Sequence, residues 1–387
     1  MSRKIAIIRP DGTPVNLKFY NSQELGLAKG LLKLGVSVDV FVAGSSKQVE
    51  QTLIAEQGDA RVKLFQVPFF KIPEIDHAIY PKIFKLIKEG QYDLIQVNEE
   101  SELNNYLVSR VARKQGIPVI IYQGMYKQID GRIRAFFQAI FDRVVLPSFR
   151  KNVALAACKT TRAQKHLQAK GFTNTTVIPV GLDEAPFLEK HAEQRDWLKE
   201  LSLPADKVTL LYVGILENRR NIHFLLDLVK ALDSSKFQLL IAGTGPLEQS
   251  IAERITKEAI SNVIMLGRVE QRDLPGLYEL SDLFLLASNY EIYGMVVLES
   301  MYHGVPVCST KTAGPEDLII DHEDGLLFDD LSIETWSKAI NDIIGNNKVK
   351  TMADKCRQKV KDHLTWDGVA KRYFEKIISV YCDKPSK

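Results

Sequence analysis

The residues best suited to chemistry lie in Asn289-Tyr-Glu-Ile-Tyr-Gly-Met-Val-Val-Leu-Glu-Ser-Met-Tyr-His-Gly-Val-Pro-Val307, directly after the apolar run Leu283-Phe-Leu-Leu-Ala287. The pattern predicts a strand, then a loop carrying Glu291, then a helix that opens at Gly294 with Glu299 one to two turns inside it. A helix start presents backbone N–H groups and the positive end of the helix dipole. A diphosphate placed there gains charge-assisted bonds from the amides of Gly294, Met295 and Val296. Glu291 and Glu299 suit sugar hydroxyls, because one carboxylate accepts two hydroxyl bonds at once. One could hold a transferred sugar and the other a ribose. A helix cap for Glu291 and a solvated position for Glu299 are the plainer alternatives. Against them, Val296-Val-Leu298 and Met301 put Glu299 on a partly buried face, where a carboxylate needs partners.

A second cluster is Leu210-Leu-Tyr-Val-Gly-Ile-Leu-Glu-Asn-Arg-Arg-Asn-Ile222, which reads as a strand, a turn at Gly214, and two arginines before a helix. The forked guanidinium groups of Arg219 and Arg220 match phosphate oxygens. Cations held beside a departing diphosphate stabilise the transition state more than the ground state. A solvated basic turn is the alternative. Four further stretches carry weaker signals. Ile241-Ala-Gly-Thr-Gly-Pro-Leu247 is a glycine turn that Pro246 alone would explain. Arg268 and Val269 end a strand. Gly12 and Thr13 lie in the loop after the first strand. Gln123 ends the run Val119-Ile-Ile-Tyr-Gln and can donate a hydrogen bond but cannot transfer a proton.

The elements that must hold these residues alternate along the chain. Strand-like runs are expected at 4–9, 36–42, 61–66, 92–97, 117–122, 153–157 and 175–180, with helical patterns at 20–34, 77–89, 101–115 and 160–170. Further strands are expected at 208–214, 237–242, 263–267, 283–287, 305–309 and 325–328. Short apolar strands alternating with amphipathic helices make parallel sheets covered on both faces, and such sheets bind ligands at the carboxyl ends of their strands. The pattern occurs twice in 387 residues, so two doubly wound α/β domains are expected, meeting near Pro179-Val-Gly-Leu-Asp-Glu-Ala-Pro186. The division is 1–182 and 183–365, with 366–387 as a separate helical segment whose last residues, 384–387, fray.

The composition, 45% hydrophobic and 26% charged, is that of an ordinary globular protein. The four cysteines are scattered and have neither metal-ligand nor redox spacing, which implies a reducing compartment. No apolar run approaches the roughly 18 residues of a membrane span. A cytoplasmic protein is expected. The net charge of +3 hides an asymmetry: residues 1–190 hold 27 Lys+Arg against 18 Asp+Glu, a net of +9, and the remainder sums to −6. The basic half is expected to meet something anionic, or to reflect variation between domains. Within 132–151, five basic residues and one acidic residue alternate with Phe136, Phe137, Ile140 and Phe141. This is either a core helix or a helix lying at an anionic membrane surface, and the two can coexist. No nucleic-acid-binding motif is present. There is no Asp-x-Asp and no histidine cluster, so no metal and no cofactor are expected. His303 is read as structural.

Taken together, Glu291 and Glu299, Gly304-Val-Pro-Val, Thr312-Ala-Gly-Pro-Glu-Asp-Leu and Asp324-Gly-Leu-Leu-Phe328 resemble the Glu-x7-Glu region of the retaining glycosyltransferases of family four, of the bacterial surface-polysaccharide type. The resemblance covers nearly all of the second half and, more weakly, the first. It implies the GT-B fold, two Rossmann-like domains facing a cleft, with the acceptor on the first domain and a nucleotide-sugar donor on the second. It also implies that 366–387 packs back on the first domain. By the same resemblance Glu291 contacts the donor sugar, Glu299 binds the ribose, Arg219 and Arg220 serve the diphosphate, Arg268 and Val269 border the base, and Gly12 and Thr13 approach the donor phosphates. The chain departs from the family pattern at Ile215, where a cation is usual, and at Gln123, where a histidine is usual. The expected function is transfer of a hexose-type sugar, from UDP, to a glycan or lipid-linked saccharide. A non-catalytic nucleotide-sugar-binding subunit and a nucleotide-sugar epimerase are the alternatives.

Overall fold

The structure is a computed structural model that describes residues 3–14, 22–72, 77–127, 132–188, 195–204 and 206–382, with the side chains of 132 and 133 outside the description. The fraying expected at 384–387 lies outside the described residues. The chain divides into two units, Met1–Asp183 with Leu364–Lys387, and Glu184–His363.

The first unit contains β1 (Lys4–Ile8), β2 (Ser37–Gly44), β3 (Glu50–Gln57), β4 (Ala60–Pro68), β5 (Phe70–Ile72), β6 (His77–Ile79), β7 (Leu94–Asn98), β8 (Val119–Gln123), β9 (Val153–Cys158) and β10 (Thr175–Val177). Eight of these form one sheet in the order β10-β9-β8-β7-β1-β2-β4-β3. All its pairs are parallel except β3 with β4. The central strands β1, β7 and β8 are mainly apolar and almost wholly buried, as a sheet covered on both faces requires. β3 escapes the sequence reading because it is an exposed edge strand, Glu-Gln-Thr-Leu-Ile-Ala-Glu-Gln, with no buried face to impose alternation. The helix expected over 77–89 is corrected. His77–Ile79 pairs antiparallel with β5, and the helix runs only over Ile83–Glu89. Pro81 explains the break, since the residue before a proline is driven out of helical geometry.

The second unit contains β11 (Val208–Val213), β12 (Phe237–Ala242), β13 (Val263–Gly267), β14 (Leu283–Leu286), β15 (Val307–Thr310) and β16 (Gly325–Phe328). These form one parallel sheet in the order β13-β12-β11-β14-β15-β16. The chain moves outward from β11 in one direction through β12 and β13, then returns to β14 and moves outward in the other. Right-handed crossovers therefore place the connecting helices on opposite faces, so the chain runs on from β11 and β14 toward opposite sides of the sheet. The crevice they leave lies at the carboxyl ends of the two strands.

The last segment belongs to the first unit. Trp366, at the start of the helix Trp366–Tyr373, is 5% exposed. Its indole fills the space left by two glycines, for a Cβ on Gly26 or on Gly181 would come within 2.1 Å or 2.6 Å of the ring. Backbone bonds from Leu182 to Leu364 (2.8 Å) and from Trp366 to Leu182 (3.1 Å) fix the register, and the Tyr373 hydroxyl donates to Gln96 of β7 (2.8 Å). Trp366→Ala is expected to destabilise the first unit by about 3–5 kcal/mol. Urea denaturation followed by hydrogen exchange at β1 and β7 checks this, and an unchanged midpoint for those strands would count against the packing described.

Candidate functional site

The Gly214–Asn221 turn after β11 and the Ala287–Gly294 loop after β14 are stitched to one another. The Asn289 amide donates to the Arg219 carbonyl (2.8 Å), and Arg219 Nη1 donates to the Tyr290 carbonyl (2.9 Å). Asn221 sits at φ 52°, a left-handed position that asparagine tolerates, and its side-chain amide donates to the Ala287 carbonyl (2.7 Å) and to Asn289 Oδ1 (2.8 Å). Arg220 Nη1 donates to Ser288 Oγ (3.2 Å) and forms an ion pair with Glu291 Oε1. Arg219 Nη1 lies 3.9 Å from the same carboxylate oxygen, and Arg219 Nε lies 2.7 Å from Glu217. Burial pulls the Arg220 guanidinium below its usual pKa. Glu291 and Arg220 are thus both withdrawn from bulk water and paired at the mouth of the crevice.

Glu299 sits eight residues further on, inside the helix Met295–Tyr302. It is buried and accepts a hydrogen bond from the Tyr278 hydroxyl (3.0 Å). Burial pushes its pKa up to about 8. The Tyr278 ring stacks on His303, with centroids 5.4 Å apart, and burial, with Arg357 and Lys361 nearby, pulls that imidazole down to about 4. His303 is therefore a neutral packing residue. The helix start is shaped by two glycines. Gly294 takes φ +81°, and the helix begins there without a side-chain cap. Gly314 lies so close to Tyr293 that a Cβ would meet its carbonyl oxygen at 1.7 Å. Met295 and Val296 are half-exposed at this start.

The other expected site residues fall elsewhere. Arg268 and Val269 follow β13, the edge strand, and no hydrogen bond or ion pair links them to Arg220 or Glu291 among the described residues. Gly12, Thr13 and Gln123 belong to the first unit. The Gly12 amide donates to the Tyr80 hydroxyl (3.1 Å) and the Thr13 amide to Asp11 (3.0 Å). Gln123 ends β8. The side chain is fully buried, accepts from the Glu100 amide (2.9 Å) and donates to the Met125 carbonyl (3.0 Å), so it scaffolds the loop after β8. Among the described residues no cluster of metal-ligating side chains occurs.

The structure also brings together residues that sequence reasoning passed over. Glu99 and Glu100 follow β7. Glu99 accepts the amides of Gly124 (3.0 Å) and Met125 (3.2 Å), and burial raises its pKa against the pull of Lys159. Burial would raise Glu100 too. The hydrogen bond from His166 and the charge of Lys170, whose Nζ is 2.5 Å away, outweigh it and hold Glu100 down to about 2. Lys170 also reaches Asp142 (3.3 Å). The signal was legible as two consecutive acids, Asn98-Glu-Glu-Ser, at a strand's carboxyl end. Tyr278 gave no signal, because its contact with Glu299 depends on tertiary packing.

The raised pKa of Glu299 sets a direction for stability. Its carboxyl stays protonated in the fold while the unfolded chain, with the usual value of 4.5, ionises, so its contribution is full below pH 4.5 and is lost as pH rises to about 8. Glu299→Gln, which keeps the neutral shape, is expected to melt increasingly above wild type as pH rises through that window. Thermal denaturation of both proteins from pH 5 to pH 9 checks this, and parallel curves would show that Glu299 is not neutral in the fold.

Comparison with known proteins agrees with this geometry. Residues 193–363 match the family described as Glycosyl transferases group 1, and residues 25–185 match Glycosyltransferase Family 4, so the two together account for most of the chain. The lipopolysaccharide core biosynthesis glycosyltransferase LpsE of Rhizobium meliloti is 26% identical over 181 residues, 46% of this chain and 52% of that protein. The alpha-monoglucosyldiacylglycerol synthase of Streptococcus pneumoniae is 27% identical over 282 residues, 69% of this chain and 63% of that protein. The chain thus spans between about half and two thirds of the length of these curated relatives. Among solved structures, Anabaena Alr3699/HepE in complex with UDP superposes with a TM-score of 0.72 at 18% identity, over 97% of this chain and 100% of that one. The two doubly wound units are those of the GT-B fold, and the chain belongs to the glycosyltransferases, with a family 4 first domain and a group 1 second domain.

Proposed function

We propose that the chain is a retaining, metal-independent hexosyltransferase that uses a UDP-sugar and serves surface-polysaccharide or glycolipid synthesis. The observation that carries this reading is the meeting of Arg219, Arg220 and Glu291 in the crevice between β11 and β14, with the helix bearing Glu299 opening beside them. Two guanidinium groups and a helix start supply positive charge for a diphosphate without requiring a divalent ion. Glu291 suits the hydroxyls of the transferred sugar. Glu299 suits the ribose, where a carboxyl already held by Tyr278 is preset for a diol. In the transfer, the bond from the anomeric carbon to the phosphate oxygen breaks and the acceptor oxygen bonds that carbon on the same face. The acceptor's proton passes to the departing phosphate. No protein base is needed, which accords with a buried, scaffolding Gln123.

The names of the relatives support a glycan or lipid-linked acceptor. One acts in lipopolysaccharide core biosynthesis and another is a diacylglycerol glucoside synthase. The family resemblance assigns this acceptor to the first domain. The helix Arg132–Val144 supports a lipid-linked one. It buries Phe141 while leaving Phe136, Phe137, Ile140 and Val144 from 40% to 68% exposed, and it lies within a strongly basic stretch. That face fits the interface of an anionic membrane. No helix among the described residues is long and apolar enough to cross one.

Thermal denaturation with UDP, GDP, ADP or NAD tests the donor site. UDP at ~100 times its dissociation constant should stabilise the wild type by about 2.7 kcal/mol, and Glu299→Ala should lose that gain. If no nucleoside diphosphate shifts the wild type, a donor site in the second unit is excluded. For the acceptor face, the wild type is expected to co-sediment with phosphatidylglycerol vesicles and the pair Phe136→Asp with Val144→Asp to stay in the supernatant while still binding UDP. Equal sedimentation of both proteins would remove the membrane from the proposal.

A further inference from the structure

In the ligand-free chain the two cations that a diphosphate would need are already paired with acids. Arg219 faces Glu217, and both are substantially exposed. Arg220 faces Glu291, where the side chains are only 14% and 7% exposed, and its Nε also lies 3.8 Å from Glu217. The two pairs differ in consequence. An exposed pair is screened by water and yields easily, whereas a buried pair resists losing either partner because the other charge is left stranded. Ser288 adds a hydrogen bond to Arg220, and the stitched loops hold Glu291 against it.

We propose that the Glu291–Arg220 pair is a latch that distinguishes a sugar-bearing donor from its spent nucleotide. The inference rests on the donor-site reading above and concerns what Glu291 does when no sugar is present. A diphosphate must share or take Arg220, and Glu291 competes with it for the same guanidinium. When the diphosphate carries a sugar, the displaced carboxylate gains hydroxyl donors and the exchange is compensated. When it carries none, Glu291 gives up its close pairing with Arg220, keeps only the longer approach of Arg219 (3.9 Å), gains no hydroxyl donors, and sits beside an anion. The latch therefore closes again after transfer, Arg220 returns to Glu291, and the nucleoside diphosphate is expelled. Glu291 acts as a specificity-determining residue in addition to its contact with the sugar. The exposed Ile215 on the same turn brings no charge that could replace Arg220.

The latch makes a prediction opposite in sign to that for an ordinary binding residue. Removing its negative charge should tighten the product. Isothermal titration with UDP and with UDP-glucose is to be run on wild type, Glu291→Gln, Glu291→Asp and Glu217→Gln. Glu291→Gln is expected to bind UDP roughly tenfold more tightly than wild type, the size of a modest close charge-pair coupling. Its affinity for UDP-glucose should not rise, so the preference for donor over product collapses. Glu291→Asp, whose shorter carboxylate reaches Arg220 less well, should move the same way by less and serves if the glutamine variant does not fold. Glu217→Gln removes the more exposed acid, which is close to Arg219 (2.7 Å) and further from Arg220 (3.8 Å), and should change UDP affinity least. Unchanged or weaker UDP binding in both Glu291 variants, with wild type binding UDP, overturns the latch and leaves the donor site standing. If wild type binds neither ligand, the donor-site reading and the latch fall together.

Discussion

The second unit depends on one topological constraint: β11 and β14 are neighbours whose chains leave the sheet in opposite directions. Any such pair opens a crevice, and backbone groups in its walls need partners. Here the walls supply them to one another. Asn221 reaches across to Ala287 and Asn289, and the Asn289 amide closes on Arg219. Satisfying the backbone in this way also sets the charges. Arg219 and Arg220 are the residues just before Asn221, and Glu291 lies two residues beyond Asn289, so the stitches that hold the loops bring opposite charges to one point. Geometry and electrostatics at this site are one arrangement.

Two glutamates within one turn-and-helix segment illustrate how environment divides identical side chains. Glu291 is withdrawn from water beside a guanidinium. Glu299 is withdrawn from water beside a phenol, with no ion pair among the described residues, and burial favours its neutral form. The first unit shows the same division. Glu100 is held ionised by Lys170 and His166, while its neighbour Glu99, bonded to backbone amides, is pushed toward neutrality by burial. The balance between burial and the cations that reach each carboxylate decides the outcome, and both are properties of the tertiary fold.

This sets what the sequence could reveal. The alternation of apolar strands and amphipathic helices was legible, because the buried strands of parallel sheets leave no doubt in composition, and so was the helix start at Gly294. β3 was not legible, since neither of its faces is buried, and the break at 77–82 was hidden by an apolar run until Pro81 is weighed. The pairing of Arg220 with Glu291 joins positions 71 residues apart in the chain, and no local pattern specifies it. The backbone contacts of Gln123 were not legible for the same reason. Its strand position pointed toward a ligand, while its two backbone partners, which only the fold supplies, turn it inward.

The course of the chain has a further consequence for how the protein is made. The first unit is interrupted by the second, and its packing is completed only when Trp366 fills the space above Gly26 and Gly181. During synthesis, every strand of the second unit leaves the ribosome before that tryptophan does. The second unit can therefore fold while the first still lacks its closing helix, with the cleft at Gly26 and Gly181 open to water. The part of the molecule that begins first is the part that finishes last, and the interval between is when its apolar interior needs protection.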